Sequence, residues 1–173
     1  MEESVEYFHR AVFKGTYRHR IDSKGRLPVP AAFRRALLAA GGRGLVATLV
    51  DRCVAIYPAA EWQRLEQQLL RLPAFGRQAK ALSRHLAARA CDCGLDSQGR
   101  VLIPPALRAG ASLAGEALVI GVLDRIEVWS PPLWDDFLRE SEQLLEDVTL
   151  DVAWPLPARS GEPRTGRGST GKP

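Results

Sequence analysis

The sequence is poor in the side chains on which disulfide frameworks, metal sites and nucleophilic catalysis depend. Its 173 residues include three cysteines and three histidines. An odd number of cysteines argues against a disulfide scaffold, and Cys91-Asp92-Cys93 lacks the Cys-x-x-Cys spacing of a zinc knuckle. None of His9, His19 and His85 belongs to a nucleophile motif or a His-x-x-x-His pair. We therefore expect no enzymatic activity, no cofactor and no metal site, and we interpret the cysteines as core residues.

Long apolar segments are also lacking. No apolar run approaches the roughly 18 residues of a membrane span. The first ten residues are acidic and contain no apolar stretch of the kind found in secretory signals. Hydrophobic residues make up 46% and charged residues 25% of the chain, as in an ordinary soluble globular protein. These features predict a cytoplasmic protein with one compact domain or two small ones.

What the sequence does contain is a dense internal repeat. The stretch IDSKGRLPVP at 21–30 recurs as LDSQGRVLIP at 95–104. Both copies continue into a short apolar segment that ends in arginine, at Arg34 and Arg108. A repeat of this density predicts one structural unit used twice.

Each copy is typical of a strand, a tight turn and a return strand. Asp and Ser can hydrogen-bond the backbone of a turn, and Gly supplies a positive φ. Prolines predict helix starts, and paired β-rich runs predict hairpins. The predicted hairpins are Leu45–Val50 with Cys53–Tyr57 and Ala117–Val122 with Ile126–Trp129; the predicted helices follow Pro30, Pro58, Pro104 and Pro131, with one more over Gly76–Arg89. We assign the aromatic residues of these elements to the core.

These patterns divide the chain into five segments. They are an N-terminal extension (1–12), a first repeat (13–75), a linking helix (76–89), a second repeat (90–152) and a tail (153–173). The tail is rich in Pro, Gly, Ser, Thr and Arg, a composition that favours disorder. Its net charge of +3 predicts weak, non-specific affinity for nucleic acid.

Positive charge is concentrated in the first copy of the motif. Residues 14–26 carry a net charge of +4, whereas residues 135–147 carry −5. A local basic patch indicates an anionic partner, although a charge run can also be a solvated face. In the second copy Gln98 replaces Lys24, and Asp92-Cys93-Gly94 replaces Arg18-His19-Arg20. If the partner is DNA, the first copy should therefore supply most of the electrostatic attraction.

The turn residues have the chemistry to bind DNA. Ser23, Lys24, the backbone N–H of Gly25 and Arg26 are donors suited to phosphate oxygens and base edges. Asp22 is assigned to fixing the turn; alternatively, Asp22 and Arg26 are only an ion pair that closes it. The candidate DNA-binding residues are Lys14, Arg18, Arg20, Ser23, Lys24, Arg26 and Arg100, and the candidate structural residues of the motif are Asp22, Gly25, Asp96 and Gly99.

Five motifs, spread from about residue 13 to about residue 150, occur together in this order: Phe13-Lys14-Gly15, Asp22-Ser23-Lys24-Gly25-Arg26, Leu95-Asp96 with Gly99-Arg100, Ile103-Pro104, and Asp124-Arg125-Ile126-Glu127-Val128-Trp129. As a set they resemble the MraZ family, bacterial transcription regulators of the division and cell-wall gene cluster.

This resemblance implies an α+β fold of two tandem AbrB-like swapped-hairpin halves that form a small β-barrel with flanking helices. It implies a ring-shaped homo-oligomer, commonly an octamer, associated with the nucleoid. It also implies sequence-specific binding of double-stranded DNA at direct repeats in a promoter, and repression of the division and cell-wall gene cluster including its own operon. In the family, the Asp-x-x-x-Arg motif is associated with DNA binding, and it matches Asp22 with Arg26 and Asp96 with Arg100.

Two alternatives remain open at this point. The first is a ring-forming protein–protein assembly module without a nucleic-acid role, in which the acidic last helix or the helices of Trp62 and Trp134 bind partners. The second is an antitoxin of the same barrel type that neutralises a toxin through its tail. The length of the chain and its internal repeat argue against the antitoxin.

Overall fold

The computed structural model describes residues 11–40, 42, 44–72 and 76–147, apart from the side chains of 143–147. Most of the predicted N-terminal extension and all of the predicted tail lie outside the described residues. In the described part the elements are β1 (Phe13–Arg20), β2 (Arg26–Pro28), α1 (Ala31–Ala39), β3 (Gly44–Val50), β4 (Cys53–Pro58), α2 (Ala59–Leu70), α3 (Arg77–Ala87), β5 (Cys91–Gly94), β6 (Arg100–Leu102), α4 (Pro105–Gly110), β7 (Glu116–Leu123), β8 (Arg125–Trp129) and α5 (Pro131–Asp147).

The two halves of the chain are interleaved. Six strands form an antiparallel sheet in the order β1-β7-β8-β4-β3-β5, and β2 pairs with β6 in a separate two-stranded sheet. Strand β1 of the first half pairs with β7 of the second, with Arg20 opposite Glu116. In the same way β5 of the second half pairs with β3 of the first, with Gly94 opposite Gly44. Each motif strand therefore lies against a hairpin of the opposite half.

The predicted α+β class is confirmed, with an antiparallel sheet and five helices in the described part of the chain. The predicted barrel is a separate matter. Strands β1 and β5 stand at the two ends of the six-stranded order, and no ladder between them is found among the described residues. The closed AbrB-like barrel therefore stays a prediction.

The local predictions are confirmed except in one respect. The β3–β4 and β7–β8 hairpins form, and helices α1, α2 and α4 each begin directly after the predicted proline. However, the strands on either side of each motif turn form no ladder with each other in the described chain, because β1 pairs with β7 and β2 with β6. At the second turn an isolated antiparallel bridge between Leu95 and Val101 joins the two sides. A strand pattern predicts an extended segment but not its partner, which here comes from the other half.

Both motif copies contribute to one hydrophobic core. Leu27 and Val29 follow the first turn, Val101 and Ile103 follow the second, and each is at most 2% exposed. Burial of side chains of this size stabilises the fold by about 1.5–3 kcal/mol each. All four belong to the same cluster of buried residues, so the return strands of the two turns are fixed by the same packing.

The aromatic residues lie mainly in the core, as predicted. Trp62 and Trp129 are buried, with Trp62 against Tyr57 at a ring-centroid distance of 5.7 Å and Trp129 against Trp134 at 5.5 Å. Aromatic pairs at this spacing add to the stability that burial provides. Trp62 and Trp129 therefore take part in intramolecular packing. The alternative in which the helices of Trp62 and Trp134 bind partner proteins stays a prediction.

Candidate nucleic-acid interface

The first motif turn is closed by the carboxylate of Asp22. Its Oδ1 accepts hydrogen bonds from the backbone N–H groups of Lys24 and Arg26, both at 2.9 Å. Its Oδ2 accepts one from Nε of Arg26 at 2.6 Å. The N–H of Gly25 donates to the carbonyl of Asp22 at 2.9 Å. Gly25 has a φ of +84°, which glycine adopts without the steric penalty of a side chain.

The second motif turn repeats this geometry. Oδ1 of Asp96 accepts from the backbone N–H groups of Gln98 and Arg100, both at 2.9 Å, and Oδ2 accepts from Nε of Arg100 at 2.9 Å. The N–H of Gly99 donates to the carbonyl of Asp96 at 3.0 Å, and Gly99 has a φ of +73°. Asp, Gly and Arg, which both copies share, are therefore the residues that build the turn.

Both turn carboxylates are held in the ionised form. The backbone N–H of Arg26 is the main cause of a lowered pKa at Asp22, and the Arg26 guanidinium and the Lys24 N–H add to it, while burial opposes it. The pKa of Asp96 is lowered by the corresponding groups of Arg100 and Gln98. A carboxylate that accepts several N–H bonds keeps its charge, which suits the structural role predicted for these two residues.

The candidate contact residues at the tips of the turns are accessible to solvent. Ser23 and Lys24 are exposed, and the Arg26 side chain is 34% exposed although its Nε is bound to Asp22. The Arg100 side chain is 23% exposed. Gly25 is buried, and its N–H is used inside the turn. The expectation that this N–H would bind phosphate is therefore wrong.

Strand β1 adds a row of cations on one face. Lys14, Arg18 and Arg20 are all exposed, whereas Phe13 is buried and Tyr17 partly buried. Successive side chains of a strand point to opposite faces, so the three cations share the outer face of β1. Arg18 approaches Glu116 at 3.5 Å, with the two side chains 65% and 51% exposed. An ion pair this open is weak and leaves Arg18 accessible to a stronger anion.

The corresponding strand of the second half offers no such row. Strand β5 has four residues where β1 has eight. At the positions matching Arg18 and Arg20 it carries Asp92 and Gly94, both of them exposed. The charge difference seen in the sequence is thus a difference between two exposed strand surfaces, each of which leads into a turn with the same hydrogen bonds.

Two arginines in the neighbourhood of the turns were given no role from the sequence. Arg34 on α1 and Arg108 on α4 end the two copies of the motif. Each is partly buried and donates a hydrogen bond to a backbone carbonyl of its own half, Val29 for Arg34 and Ile103 for Arg108. The signal that could have found them was their recurrence at the same place in both copies.

The cysteines have the character of core residues. Cys53 is 1% exposed, and burial raises the pKa of its thiol. Burial also raises the pKa of Cys91, and it raises that of Cys93 to about 12. Metal ligation and nucleophilic attack require the thiolate, and these thiols are held in the neutral form.

Searches for two other kinds of site in the described segments give no candidate. None of the helices there combines the length and apolar character of a membrane span. In the same residues, no group of three or more histidine, cysteine, aspartate or glutamate side chains is arranged to hold a metal ion.

Comparison with known families gives a match to each half of the chain. The family model described as "MraZ protein, putative antitoxin-like" matches residues 12–85 and again residues 86–151. The chain belongs to the MraZ family. The two matches divide the chain into the halves that carry the two motif turns, so one family model describes both copies of the internal repeat.

Curated relatives cover most of the chain. A protein of Natranaerobius thermophilus is 39% identical over 142 residues, which is 82% of this chain and 96% of the relative. One of Desulfitobacterium hafniense (strain Y51) is 44% identical over 131 residues, 76% of this chain and 90% of the relative. One of Desulforamulus reducens is 40% identical over 141 residues, 82% of this chain and 97% of the relative. Each is named "Transcriptional regulator MraZ".

Proposed function

We propose that this protein is a sequence-specific, DNA-binding transcriptional regulator whose main contact surface is the first motif turn with the outer face of β1. The observation that supports this most directly is the exposure of Lys24, Arg26 and the β1 cations around a turn that Asp22 holds in one conformation. The names of the relatives supply independent support.

The chemistry of the surface suggests a division of labour. Arg26 is oriented by Asp22 through Nε, and arginine is suited to bidentate contact with a guanine edge. Lys24, Ser23 and the cations Lys14, Arg18 and Arg20 supply donors and positive charge for phosphate oxygens. Arg100 is the corresponding candidate in the second half, where its turn lacks a neighbouring lysine.

We also propose that several copies act together. On the resemblance to the family, the assembly is a ring-shaped homo-oligomer, with an octamer as the expected form, on direct repeats in the promoter of its own operon. Weak contacts repeated on a periodic site gain affinity through effective concentration. Exposed leucines on α2 and α3, including Leu70 at 84% and Leu82 at 47% exposed, offer apolar surface for contact between copies. Bound at that promoter, the protein would repress the division and cell-wall gene cluster.

The decisive experiment replaces Arg26. Arg26→Ala should abolish binding to the DNA upstream of the protein's own gene, because a lost bidentate base contact costs about 1–3 kcal/mol at each site. Binding is measured by gel shift at two salt concentrations. Arg100→Ala removes the matching residue of the second half and should have the smaller effect. Arg84→Ala removes one positive charge from α3, outside the motif, and should bind as the parent does.

Circular dichroism and analytical ultracentrifugation of the variants complete the test. Arg26→Ala protein that is folded, oligomeric and unable to bind supports the assignment. Normal binding by Arg26→Ala would remove Arg26 from the interface, and unfolding would show that Asp22 and Arg26 are only an ion pair that closes the turn. A protein that assembles but binds no DNA in any form would favour the assembly-module alternative.

A further inference from the structure

Each motif turn is in contact with an arginine of the opposite half. The guanidinium of Arg108, on α4 of the second half, lies over Gly25 of the first turn. A Cβ placed on Gly25 would be 2.9 Å from Nε and 3.0 Å from Cζ of Arg108. The guanidinium therefore occupies the space that a side chain at position 25 would need.

The second turn has the mirrored arrangement. Arg34, on α1 of the first half, lies over Gly99, and a Cβ there would be 2.5 Å from Cδ and 2.9 Å from Nε of Arg34. The two contacts are equivalent by the internal repeat, but each crosses from one half to the other.

Each arginine and the turn that it contacts are hydrogen-bonded to the backbone of the same residue. Nε of Arg108 donates to the carbonyl of Ile103 at 3.1 Å, and the N–H of Ile103 donates to the carbonyl of Gly25 at 2.9 Å. In the other half, Nη1 of Arg34 donates to the carbonyl of Val29 at 2.6 Å, and the N–H of Val29 donates to the carbonyl of Gly99 at 3.0 Å. Residue 103 thus connects Arg108 to the first turn, and residue 29 connects Arg34 to the second.

The local bonds of Asp22 fix the shape of the first turn but not its position on the protein. That position depends on what the turn rests against, and Arg108 covers the buried Gly25 at its base. A recognition group needs both its own conformation and a rigid support, since small displacements weaken a specific contact. Removing the Arg108 guanidinium would leave a gap next to Gly25, and the Ile103 carbonyl would lose the hydrogen bond that it accepts from Arg108.

We propose that Arg108 is a positioning residue for the DNA-contacting turn of the first half, and that Arg34 does the same for the turn of the second half. The main contact surface is then a composite of both halves: Arg26 and Lys24 present the chemistry, and an arginine from the other half of the chain holds them in place. This inference rests on the proposed function for its consequence in DNA binding, but the crossed support itself can be tested without DNA.

The DNA-free test is amide hydrogen exchange on the free, full-length protein, read at the turn amides of Arg108→Ala and Arg34→Ala. Arg108→Ala should speed exchange at Lys24 and Arg26 by about fivefold or more, the equivalent of about one hydrogen bond. The amides of Gln98 and Arg100 should change little. Arg34→Ala should give the opposite pattern. Faster exchange in the turn of the same half, or equal changes in both turns, would overturn the crossed support.

The second arm is DNA affinity measured by fluorescence anisotropy on the upstream DNA. Arg108→Ala should weaken binding by about tenfold or more, as expected when a contact of a charged group is lost, and Arg34→Ala should have much less effect. Because the two variants remove the same side chain from equivalent places, their difference isolates the turn that each one supports. Should Arg108→Ala fail to fold, Arg108→Gln and Arg34→Gln, which keep a planar donor, replace the pair.

The outcomes separate this inference from the proposed function. If Arg26→Ala abolishes binding while a folded Arg108→Ala binds as the parent does, the positioning role is wrong and the proposed function stands. If Arg26→Ala also binds normally, the proposed function fails, and the exchange pattern alone then decides whether the crossed support exists.

Discussion

The two motif turns have the same backbone geometry but differ in the charge of the residues around them. In each, an aspartate accepts two backbone N–H bonds at 2.9 Å and an arginine Nε bond, and a glycine has a φ of +84° or +73°. Around the first turn, residues 14–26 carry a net charge of +4; the matching residues 88–100 of the second copy carry none. The protein thus contains two turns of the same geometry, and only the first lies in a strongly cationic segment.

This difference separates the residues that build the turn from those proposed to contact DNA. Asp, Gly and Arg recur because the hydrogen bonds and the positive φ require them. Lys24 points to solvent and is replaced by Gln98 without any change in the backbone bonds around it. An exposed position that the turn geometry does not constrain is free to carry recognition chemistry, and the proposed function assigns that chemistry to the first half.

The largest difference between the two turns should appear when the glycine of each turn, Gly25 or Gly99, is replaced by alanine. Gly25→Ala forces a positive φ on a residue with a side chain, at a cost of roughly 1–2 kcal/mol, and brings its Cβ to 3.0 Å from the backbone carbonyl of Ile103 and 2.9 Å from Arg108. We expect a lower free energy of unfolding in urea and loss of DNA binding.

Gly99→Ala is the matched control. It carries a similar backbone strain, but the atoms nearest its Cβ belong to the Arg34 side chain, which can move more readily than a backbone carbonyl. It should therefore lose less stability than Gly25→Ala and keep most of the affinity. Equal losses of affinity in the two variants would mean that the two turns contribute equally to binding.

An intermediate effect is expected from exchanging Lys24 of the first turn with Gln98, the matching residue of the second. Lys24→Gln should weaken binding to all DNA sequences and reduce the slope of log affinity against log salt by roughly one unit per contacting subunit. Gln98→Lys should strengthen binding only if the second turn also faces the duplex. The measurement is a salt titration of DNA affinity for both variants and the double exchange, and an unchanged slope for Lys24→Gln would exclude Lys24 from the phosphate contacts.

The smallest expected effect is the loss of turn stability at low pH, when Asp22 and Asp96 become protonated. An unfolded aspartate titrates near pH 3.9, and the pKa values of Asp22 and Asp96 lie below their ordinary value because the folded turns favour the charged form. The stabilisation is therefore complete above that value and is lost as the pH falls through the folded pKa values. An NMR titration of the two carboxyl groups should show both shifted downward, since their partners are the same in the two halves. A normal pKa at Asp22 alone would mean that its turn is open in solution.

Much of the local structure could be predicted from the sequence, because it depends on neighbours in the chain. The helices after Pro30 and Pro58, the β3–β4 and β7–β8 hairpins and the burial of Trp62 are found where the patterns indicate. The residues that shape the two turns were also found, since Asp and Gly at that spacing have a local physical role. The exposure of the cations on β1 follows from alternation along a strand.

Pairing between the halves could not be predicted from the chain pattern. Phe13 lies opposite Leu123, and Leu27 opposite Val101, yet nothing in a strand's alternation specifies a partner so distant in sequence. The same is true of Arg108 over Gly25. A lone arginine at the end of an apolar segment has no local signature, and its role becomes visible only when α4 is seen beside the first turn.

By itself the amino-acid sequence determined the two turns, their hydrogen-bonding aspartates and the excess of positive charge in the first copy, because these depend on residues within a few positions of one another. Only the tertiary structure decided which strands pair across the two halves, and that an arginine from the other half lies against the glycine of each turn. Those contacts join residues far apart in the chain, from Ala47 with Cys91, 44 positions apart, to Phe13 with Leu123, 110 positions apart. Packing of the shared core brings them together.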